Sequence, residues 1–342
     1  MSVDGEVRPA RSTVDGVSAG EPRSGWRDRA GRVVGAKEAG LAAVLVIIVL
    51  FLAWRSPHFL TTANLTVVSR QIALALFISI GMTFVILSGA IDLSVGSVVA
   101  LVSVTVGQLM VTSGLQPVLA TGLALLVGAL VGVFNGTVVA FTRIPSFVVT
   151  LGMLAMASGL ALGITQGRTI SGFPKGFLAI GQGLTWGVPN PVWLAALVAV
   201  IAHLVLSRTT FGRHVYLLGS NEQAALLSGI AVRRTKILIF TTASTLAACA
   251  AVVETARLTV GQPSAGAGYE LVAIGAVVIG GASLFGGEGS ILGTVLGTTL
   301  LGLILNGLIL LGISAYWQQV FSGAVIILAV GLNMWRRQRH QT

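Results

Sequence analysis

Apolar residues along this chain gather into about ten long runs, each able to cross a hydrocarbon layer roughly 30 Å thick as a helix. A helix satisfies the backbone hydrogen bonds within each run, and no run shows the strict alternation of a barrel strand. The pattern predicts an all-α polytopic membrane protein with transmembrane helices at 39–54, 66–88, 93–112, 117–142, 145–164, 191–207, 237–256, 269–282, 289–312 and 316–334.

Basic residues at the ends of these runs orient the chain, because Lys and Arg concentrate in cytoplasmic loops. With both termini in the cytoplasm, the inner segments near the membrane carry Arg27, Arg29, Arg32, Lys37, Arg143, Arg208, Arg213, Arg233, Arg234, Lys236, Arg336, Arg337 and Arg339. The outer segments then keep Arg55, Arg70, Arg168, Lys175 and Arg257. This asymmetry favours an even number of spans.

Composition agrees with a membrane location. The hydrophobic fraction is 54% and the charged fraction 9%, with a mean hydropathy of +0.92. The net charge of +10 is spread over span ends, which excludes a nucleic-acid-binding face. We expect residues 1–38 to form a disordered cytoplasmic tail, 39–335 the transmembrane domain and 336–342 a basic cytoplasmic tail. The lone Cys249 excludes an intrachain disulfide and a thiolate metal site.

The basic inner loop, residues 208–236, contains a short helix signal. Ser220 and Gln223 match a capping box, and Gly229 stands where the helix would end. The sequence predicts a two-turn helix over 221–228 that presents Ala224, Ala225, Leu226 and Leu227. Such a helix requires a protein partner to cover it; the alternative is an amphipathic stretch on the inner leaflet.

The string SGAIDLSVGS at 88–97 places a carboxylate between two spans. Asp92, with Ser94 and Gly96 following, stands near the positive end of the next helix. Either Asp92 belongs to a helix cap, or it contacts a solute or a coupling partner, because charged groups at membrane depth are costly.

A broken helix is predicted near residues 269–290. The apolar core from Leu271 to Ile279 is too short to cross comfortably, and glycine pairs follow it at 280–281 and 286–287. Transporters use such discontinuous helices where irregular backbone lines a cavity or is buried in protein.

Small and polar residues inside the spans indicate how the helices meet. Gly128, Gly132 and Gly136 recur every four residues, as do Gly293 and Gly297, which allows close helix packing or a moving seam. Isolated polar residues in the spans are Gln71, Asn135, His203, Glu254, Asn306 and Gln319. We expect the amides to bridge helices more often than to touch substrate, and Glu254 to pair locally with Arg257.

No phosphate-binding loop, HExxH motif, ladder of intramembrane carboxylates or Ser/His/Asp constellation occurs in the sequence. We therefore expect no catalytic, cofactor-binding or metal-binding residues on this chain. If this protein takes part in transport, the energy for transport must come from a source outside this chain.

Five strings together resemble the permease subunits of ribose-type ABC importers, which carry pentoses, other monosaccharides and polyols. The strings are SGAIDLSVGS at 88–97, GVFNGTVVAFTRIPSFVVTLGMLAMASGLAL at 132–162, GSNEQAALLSGI at 219–230, GQPSAGAGYELVAIGAVVIGGASLFGG at 261–287 and GSILGTVLGTTLLGLILNGLILLGISAYWQQV at 289–320. The chain departs from the family pattern at Ala90, where a glycine is common, and at Val272, where an acid is common. Glu270 is consequently left without a neighbouring acid.

The resemblance implies a permease in the bacterial plasma membrane. It implies a second permease chain, identical or paralogous, an outer solute-binding protein, and two cytoplasmic ATPase subunits or one double-domain ATPase that binds ATP and Mg²⁺. The inner loop would be the ATPase-coupling helix, formed by Gly219, Ser220, Asn221, Glu222, Gln223, Ala224, Ala225, Leu226, Leu227, Ser228 and Gly229.

Polarity and position supply two further sets of candidates. Residues of the translocation path would be Asp92, Ser94, Asn135, Glu270 and Asn306. Residues that dock the binding protein would be Arg55, Arg168, Lys175 and Arg257, through charge complementarity. The alternatives are an importer of branched-chain amino acids or nucleosides with the same architecture, or an ATPase-independent carrier or channel.

Overall fold

The computed structural model describes residues 25–314 and, beyond them, 316–317, 320–321, 323–324, 327–328 and 331. The helices are α1 (Gly25–Arg55), α2 (Thr62–Leu87), α3 (Val95–Gly107), α4 (Pro117–Phe141), α5 (Ser146–Thr165), α6 (Lys175–Gln182), α7 (Asn190–Arg208), α8 (Thr210–Ser220), α9 (Glu222–Leu227), α10 (Val232–Leu258), α11 (Tyr269–Ile279) and α12 (Ile291–Leu310). A π-helical segment, Gln108–Thr112, continues α3.

In the described part of the chain, four two-residue strands form two small antiparallel pairs. Strand β1 (Ile170–Ser171) pairs with β4 (Val260–Gly261), and β2 (Leu184–Thr185) pairs with β3 (Val188–Pro189). The first pair fastens the long loop after α5 to the end of α10. We call the face that carries this loop the outer-loop face.

The predicted all-α polytopic fold is confirmed. In the described part of the chain, eight helices are long and apolar enough to cross a membrane: α1, α2, α3 with its π-helical segment, α4, α5, α7, α10 and α12. The predicted helix at 269–282 is the shorter α11, and most of the predicted span 316–334, with Gln319, lies outside the described residues. Helix α1 begins at Gly25, inside the segment expected to be a tail, and residues 1–24 and 332–342 lie outside the described part.

Helices α2, α3 and α10 form the centre of the bundle, and α4, α5 and α7 keep much of their apolar surface exposed, as lipid-facing helices do. The glycines on α4 set the distance to α10. A Cβ atom at Gly132 would lie 2.6 Å from the Phe240 carbonyl oxygen, and one at Gly136 would lie 2.6 Å from Ile237 Cα. The predicted close packing of these glycines is therefore confirmed.

Helix α11 is the predicted broken helix. Its 11 residues rise only about 16 Å, which is half of a membrane crossing. The chain before it descends along α3 without helical structure: a Cβ atom at Gly261 would lie 2.7 Å from Ser103 O, and one at Gly266 would lie 2.6 Å from Gly96 O. The chain after it turns at Gly280 and Gly281 and reaches α12. The non-helical backbone therefore occupies the half nearer the outer-loop face.

The ends of several helices meet at the opposite face. Gly287 N donates to Leu87 O at 2.9 Å, which joins the loop between α11 and α12 to the end of α2. Helices α8 and α9 lie on this face together with the basic residues Arg208, Arg213, Arg233 and Arg234. We call it the basic face; it corresponds to the expected cytoplasmic side.

Candidate functional site

The short helix α9 lies where the sequence predicts it, with a different cap. Asn221 has extended backbone and accepts a hydrogen bond from Ala224 N at 3.0 Å, so Asn221 is the N-cap. The predicted capping box at Ser220 is wrong, because Ser220 belongs to α8 and its hydroxyl donates to Tyr216 O at 2.9 Å. Gly229 ends the helix at φ +78°, as predicted.

The apolar surface of α9 is narrower than predicted. Leu226 and Leu227 are 63% and 88% exposed, whereas Ala225 is 3% exposed. Ala225 therefore packs against the rest of the protein and is not exposed to a partner. The prediction that Ala225 belongs to the exposed surface of this helix is wrong. Two adjacent exposed leucines on a six-residue helix are a small apolar patch available to a partner.

Two polar contacts hold the region around α9. Lys236 Nζ of α10 lies 2.7 Å from Glu222 Oε1. This partly exposed ion pair contributes modestly to the stability of the region. Tyr216 of α8 donates its hydroxyl to Gly289 O at 2.7 Å. Burial raises the pKa of Tyr216 to about 12, so this donor remains protonated at physiological pH.

Four glycines bring α8 into backbone contact with two other segments. We call Gly89, Gly219, Gly286 and Gly287 the glycine junction. A Cβ atom at Gly219 would overlap Leu87 O and lie 2.7 Å from Gly287 N. Gly89, Gly286 and Gly287 have φ of +76°, +86° and +77°, conformations that side chains rarely adopt. The end of α8 therefore touches α2 and the α11–α12 loop with no side chains between them.

Three of the predicted path residues form one buried cluster. Asn135 Nδ2 donates to Ser94 Oγ at 3.0 Å, and Ser94 Oγ donates to Asp92 Oδ1 at 2.6 Å. Ser94 N also donates to Asp92 Oδ1 at 2.8 Å, which makes Asp92 part of the turn that begins α3. Asp92, Ser94 and Asn135 are all 0% exposed. The cluster joins the start of α3 to α4 in the interior of the protein.

The other two predicted path residues lie elsewhere. Asn306 exchanges hydrogen bonds with Asn64 at 2.8 and 3.2 Å, and this amide pair joins α12 to α2. Glu270 lies beside Gly96 at the start of α11, where its carboxylate accepts from the backbone at Gly268 and Glu270. The structure therefore does not bring all five residues into one path. His203 is exposed on α7.

The predicted docking residues divide into two groups. Arg55, Arg168 and Lys175 are exposed, at the end of α1, after α5 and at the start of α6. Arg257 is only partly exposed and lines a cavity of about 230 Å³ between α2, α11 and α12. Its placement separates it from the exposed basic residues.

The cavity also receives Gln71 from α2 and Tyr269 from α11. Tyr269 donates its hydroxyl to Glu254 Oε1 at 2.7 Å. Glu254 and Arg257, expected to pair locally, form no salt bridge, although the Arg257 charge acts on the Glu254 carboxylate; the salt bridge of the described residues is Lys236–Glu222. The sequence identified Gln71 as a polar residue inside a transmembrane span, but it gave no sign that Gln71, Arg257 and Tyr269 lie together. Groups of three or more potential His, Cys, Asp or Glu metal ligands are absent from the described residues.

Comparison with known proteins identifies the family. Residues 64–330 match the family described as branched-chain amino acid transport system / permease component. The chain is 41% identical over 300 residues to the ribose import permease protein of Escherichia coli strain K12, covering 86% of this chain and 92% of that protein. It is 44% identical over 292 residues to the ribose import permease protein of Bacillus subtilis strain 168, covering 85% and 89%.

More distant relatives extend this picture. The chain is 38% identical over 296 residues to the D-allose transport system permease protein of Escherichia coli strain K12, covering 86% of this chain and 90% of that protein. No solved structure matches. The chain therefore belongs to the permease-component family that includes the ribose and allose import permeases.

Proposed function

We propose that the chain is the membrane-spanning permease subunit of an ABC importer that carries a monosaccharide or a related polyol into the bacterial cell. The relatives with the ribose and allose names cover more than four fifths of this chain, and a xylose transport permease of Escherichia coli is 33% identical over 362 residues. The family description names branched-chain amino acids, but these relatives favour sugars over amino acids or nucleosides.

Helix α9 is the observation that supports coupling to a separate ATPase. It displays Leu226 and Leu227 on the basic face, beside a backbone junction that reaches two membrane segments. ATP and Mg²⁺ would be bound by two ATPase subunits, or by one double-domain ATPase. A closing ATPase would push α9, and rocking of the helix bundles would expose the path to alternate sides.

The remaining partners follow from the same assignment. A second permease chain would complete the central path, and a solute-binding protein would deliver sugar to the outer-loop face. The exposed Arg55, Arg168 and Lys175 are the residues that we assign to docking against acids of the binding protein. Reversal of these three charges should slow formation of that complex, which binding kinetics at low and high salt would measure.

Uptake in cells with and without this chain tests the function. We expect deletion to remove ATP-dependent uptake of one labelled sugar among ribose, xylose and allose, with the ATPase and binding protein present in both strains. Leucine and adenosine uptake serve as controls and should be unchanged. Loss of leucine or adenosine uptake in place of sugar uptake would contradict the proposal.

The double substitution Leu226→Glu and Leu227→Glu tests the role of α9. Two charges on the exposed leucines should abolish ATPase binding, because an ATPase groove that accepts an apolar helix would have to desolvate them. Co-purification of the ATPase and sugar uptake are the measurements. Thr210→Glu, an exposed position at the start of α8, is the matched control and should retain both. Wild-type ATPase recovery with the double variant would rule out this contact.

A further inference from the structure

The cavity between α2, α11 and α12 has the form of a small-molecule site. Gln71, Arg257 and Tyr269 enter it from three different helices, while residues such as Ile72 and Leu305 supply apolar walls. Ligand cavities usually combine apolar walls with a few convergent polar groups of this kind. Among the described residues, neither α9 nor the glycine junction contributes to the lining of this cavity, so the cavity is a separate feature.

The position of the cavity follows from the broken helix. Because α11 begins at Tyr269 and rises only about 16 Å, it fills the half of the bundle nearer the basic face. Beyond its first turn, the space between α2 and α12 on the side of the outer-loop face is left to the cavity. In secondary transporters, substrate sites form at such interrupted helices near the membrane midplane, and we apply the same logic here.

Two charged groups at this place have polar atoms without partners. Arg257 Nε and Glu254 Oε2 are buried and make no hydrogen bond within the described residues. Buried polar atoms without partners cost free energy, so Arg257 Nε, on a residue that lines the cavity, indicates a group that the described residues do not supply. Glu254 is 4% exposed and also holds the hydroxyl of Tyr269, which fixes the ring at the cavity wall.

We infer that this cavity binds a single monosaccharide ring, with Arg257 and Gln71 hydrogen-bonded to its hydroxyls and Tyr269 packed against its apolar face. Sugar hydroxyls both donate and accept, which matches a guanidinium donor and an amide that does both. The aromatic ring of Tyr269 offers a rigid apolar surface, and its hydroxyl is already hydrogen-bonded to Glu254. Pockets for drug-sized ligands measure about 300–1,000 Å³, so a cavity of about 230 Å³ suits one small ring.

This inference rests on the proposed function and names the place in the permease where the solute is held. It is tested first by Arg257→Gln and Gln71→Leu in the complete importer, with labelled ribose, xylose and allose. Loss of a hydrogen bond from a charged or polar group should raise the uptake KM about tenfold. It should also change the ratio of KM values among the three sugars, because the hydroxyls of each sugar point differently.

Ser113→Ala is the matched control, since Ser113 is exposed just after the π-helical segment that continues α3 and has no assigned role. It should leave the KM ratios among the sugars unchanged. A fall in uptake by the same factor for all three sugars with either cavity variant would indicate a structural role alone and would overturn the inference.

A second measurement does not depend on uptake. Cys249 is the only cysteine, so Cys249→Ala gives a background in which Gln71→Cys introduces one thiol at the cavity. We expect the transported sugar to slow labelling of this thiol by a membrane-impermeant maleimide at least about tenfold, since a bound ring excludes the reagent. Ser113→Cys in the same background, at the exposed end of the π-helical segment, should label at one rate with and without sugar.

The outcomes separate this inference from the function on which it rests. If the unchanged importer takes up no monosaccharide or polyol from a wider panel, the proposed function fails and the cavity assignment falls with it. If the unchanged importer takes up a sugar while both cavity variants keep its KM, only the cavity assignment is overturned. Protection of the thiol at position 71 by leucine, and not by sugar, would overturn the assignment to a polyhydroxy ligand.

Discussion

Gly219→Ala should abolish sugar uptake while the protein still inserts into the membrane. Gly219 lies in the last turn of α8, where alanine is a better helix former than glycine, so helix propensity predicts no loss. The added methyl group would overlap Leu87 O and crowd Gly287 N, which forces α8 away from α2 and the α11–α12 loop. Overpacking costs about 1–3 kcal/mol, and about 1.4 kcal/mol is a tenfold change in an equilibrium.

Uptake and ATP hydrolysis, measured together in vesicles, test this prediction. We expect hydrolysis by the bound ATPase to continue while uptake falls at least about tenfold, because α9 keeps its contact surface but the displaced junction no longer moves α2. Gly159→Ala in α5 is the matched control, because nothing lies within 4 Å of its Cβ position and it is far from the junction in sequence. Full uptake by Gly219→Ala would show that the glycine junction does not transmit motion.

The transmembrane helices were predictable because the signal for each one is local. Long apolar runs place α2, α4 and α12 within a few residues of their predicted positions, and glycines on one face of α4 predicted its close packing. Helix boundaries were less predictable, since polar residues can lie inside a helix when it extends beyond the lipid. Helix α10, for example, begins at Val232 and so includes basic residues assigned to the inner loop.

The cap of α9 shows why local motifs can mislead. Ser220 and Gln223 have the spacing of a capping box, but α8 continues through Ser220, whose hydroxyl bonds back to Tyr216 O. Asn221 then takes the extended conformation that a cap requires, with φ −163°. The choice between the two residues depends on where α8 ends, and α8 ends after Ser220.

The candidate site residues were predictable one by one but not as groups. Asp92, Ser94 and Asn135 come from two separate strings, and their hydrogen-bonded cluster depends on how α3 packs against α4. The cavity residues Gln71 and Arg257 come from α2 and α10, and only the folded bundle brings them together. Polarity in an apolar run identifies a residue of interest, but its partners depend on tertiary packing.

Gly132→Val should prevent stable folding, because Gly132 lies where α4 packs against α10 inside the bundle. A side chain at Gly132 would enter the backbone of α10 at Phe240 and Thr241, each 2.6 Å from the first added carbon, and would approach Ser244 Cβ at 2.9 Å. Because these contacts are with backbone atoms, the neighbours cannot turn away as a flexible side chain would. Helix association in membranes depends on such close contact, so separation of α4 from α10 removes packing that nothing else replaces.

Thermal unfolding of the detergent-solubilised protein, with its yield in membranes, measures this effect. We expect Gly132→Val to lose several kcal/mol of stability, at or beyond the usual overpacking cost of about 1–3 kcal/mol, and to give little folded protein. Gly122→Val on the same helix is the matched control, because nothing lies within 4 Å of its Cβ position and both glycines are helical. Equal stability of the two variants would mean that α4 and α10 do not pack through this glycine face. A selective loss at Gly132 would also explain why Gly128, Gly132 and Gly136 lie on the face of α4 that meets α10, since each added carbon there separates the two helices.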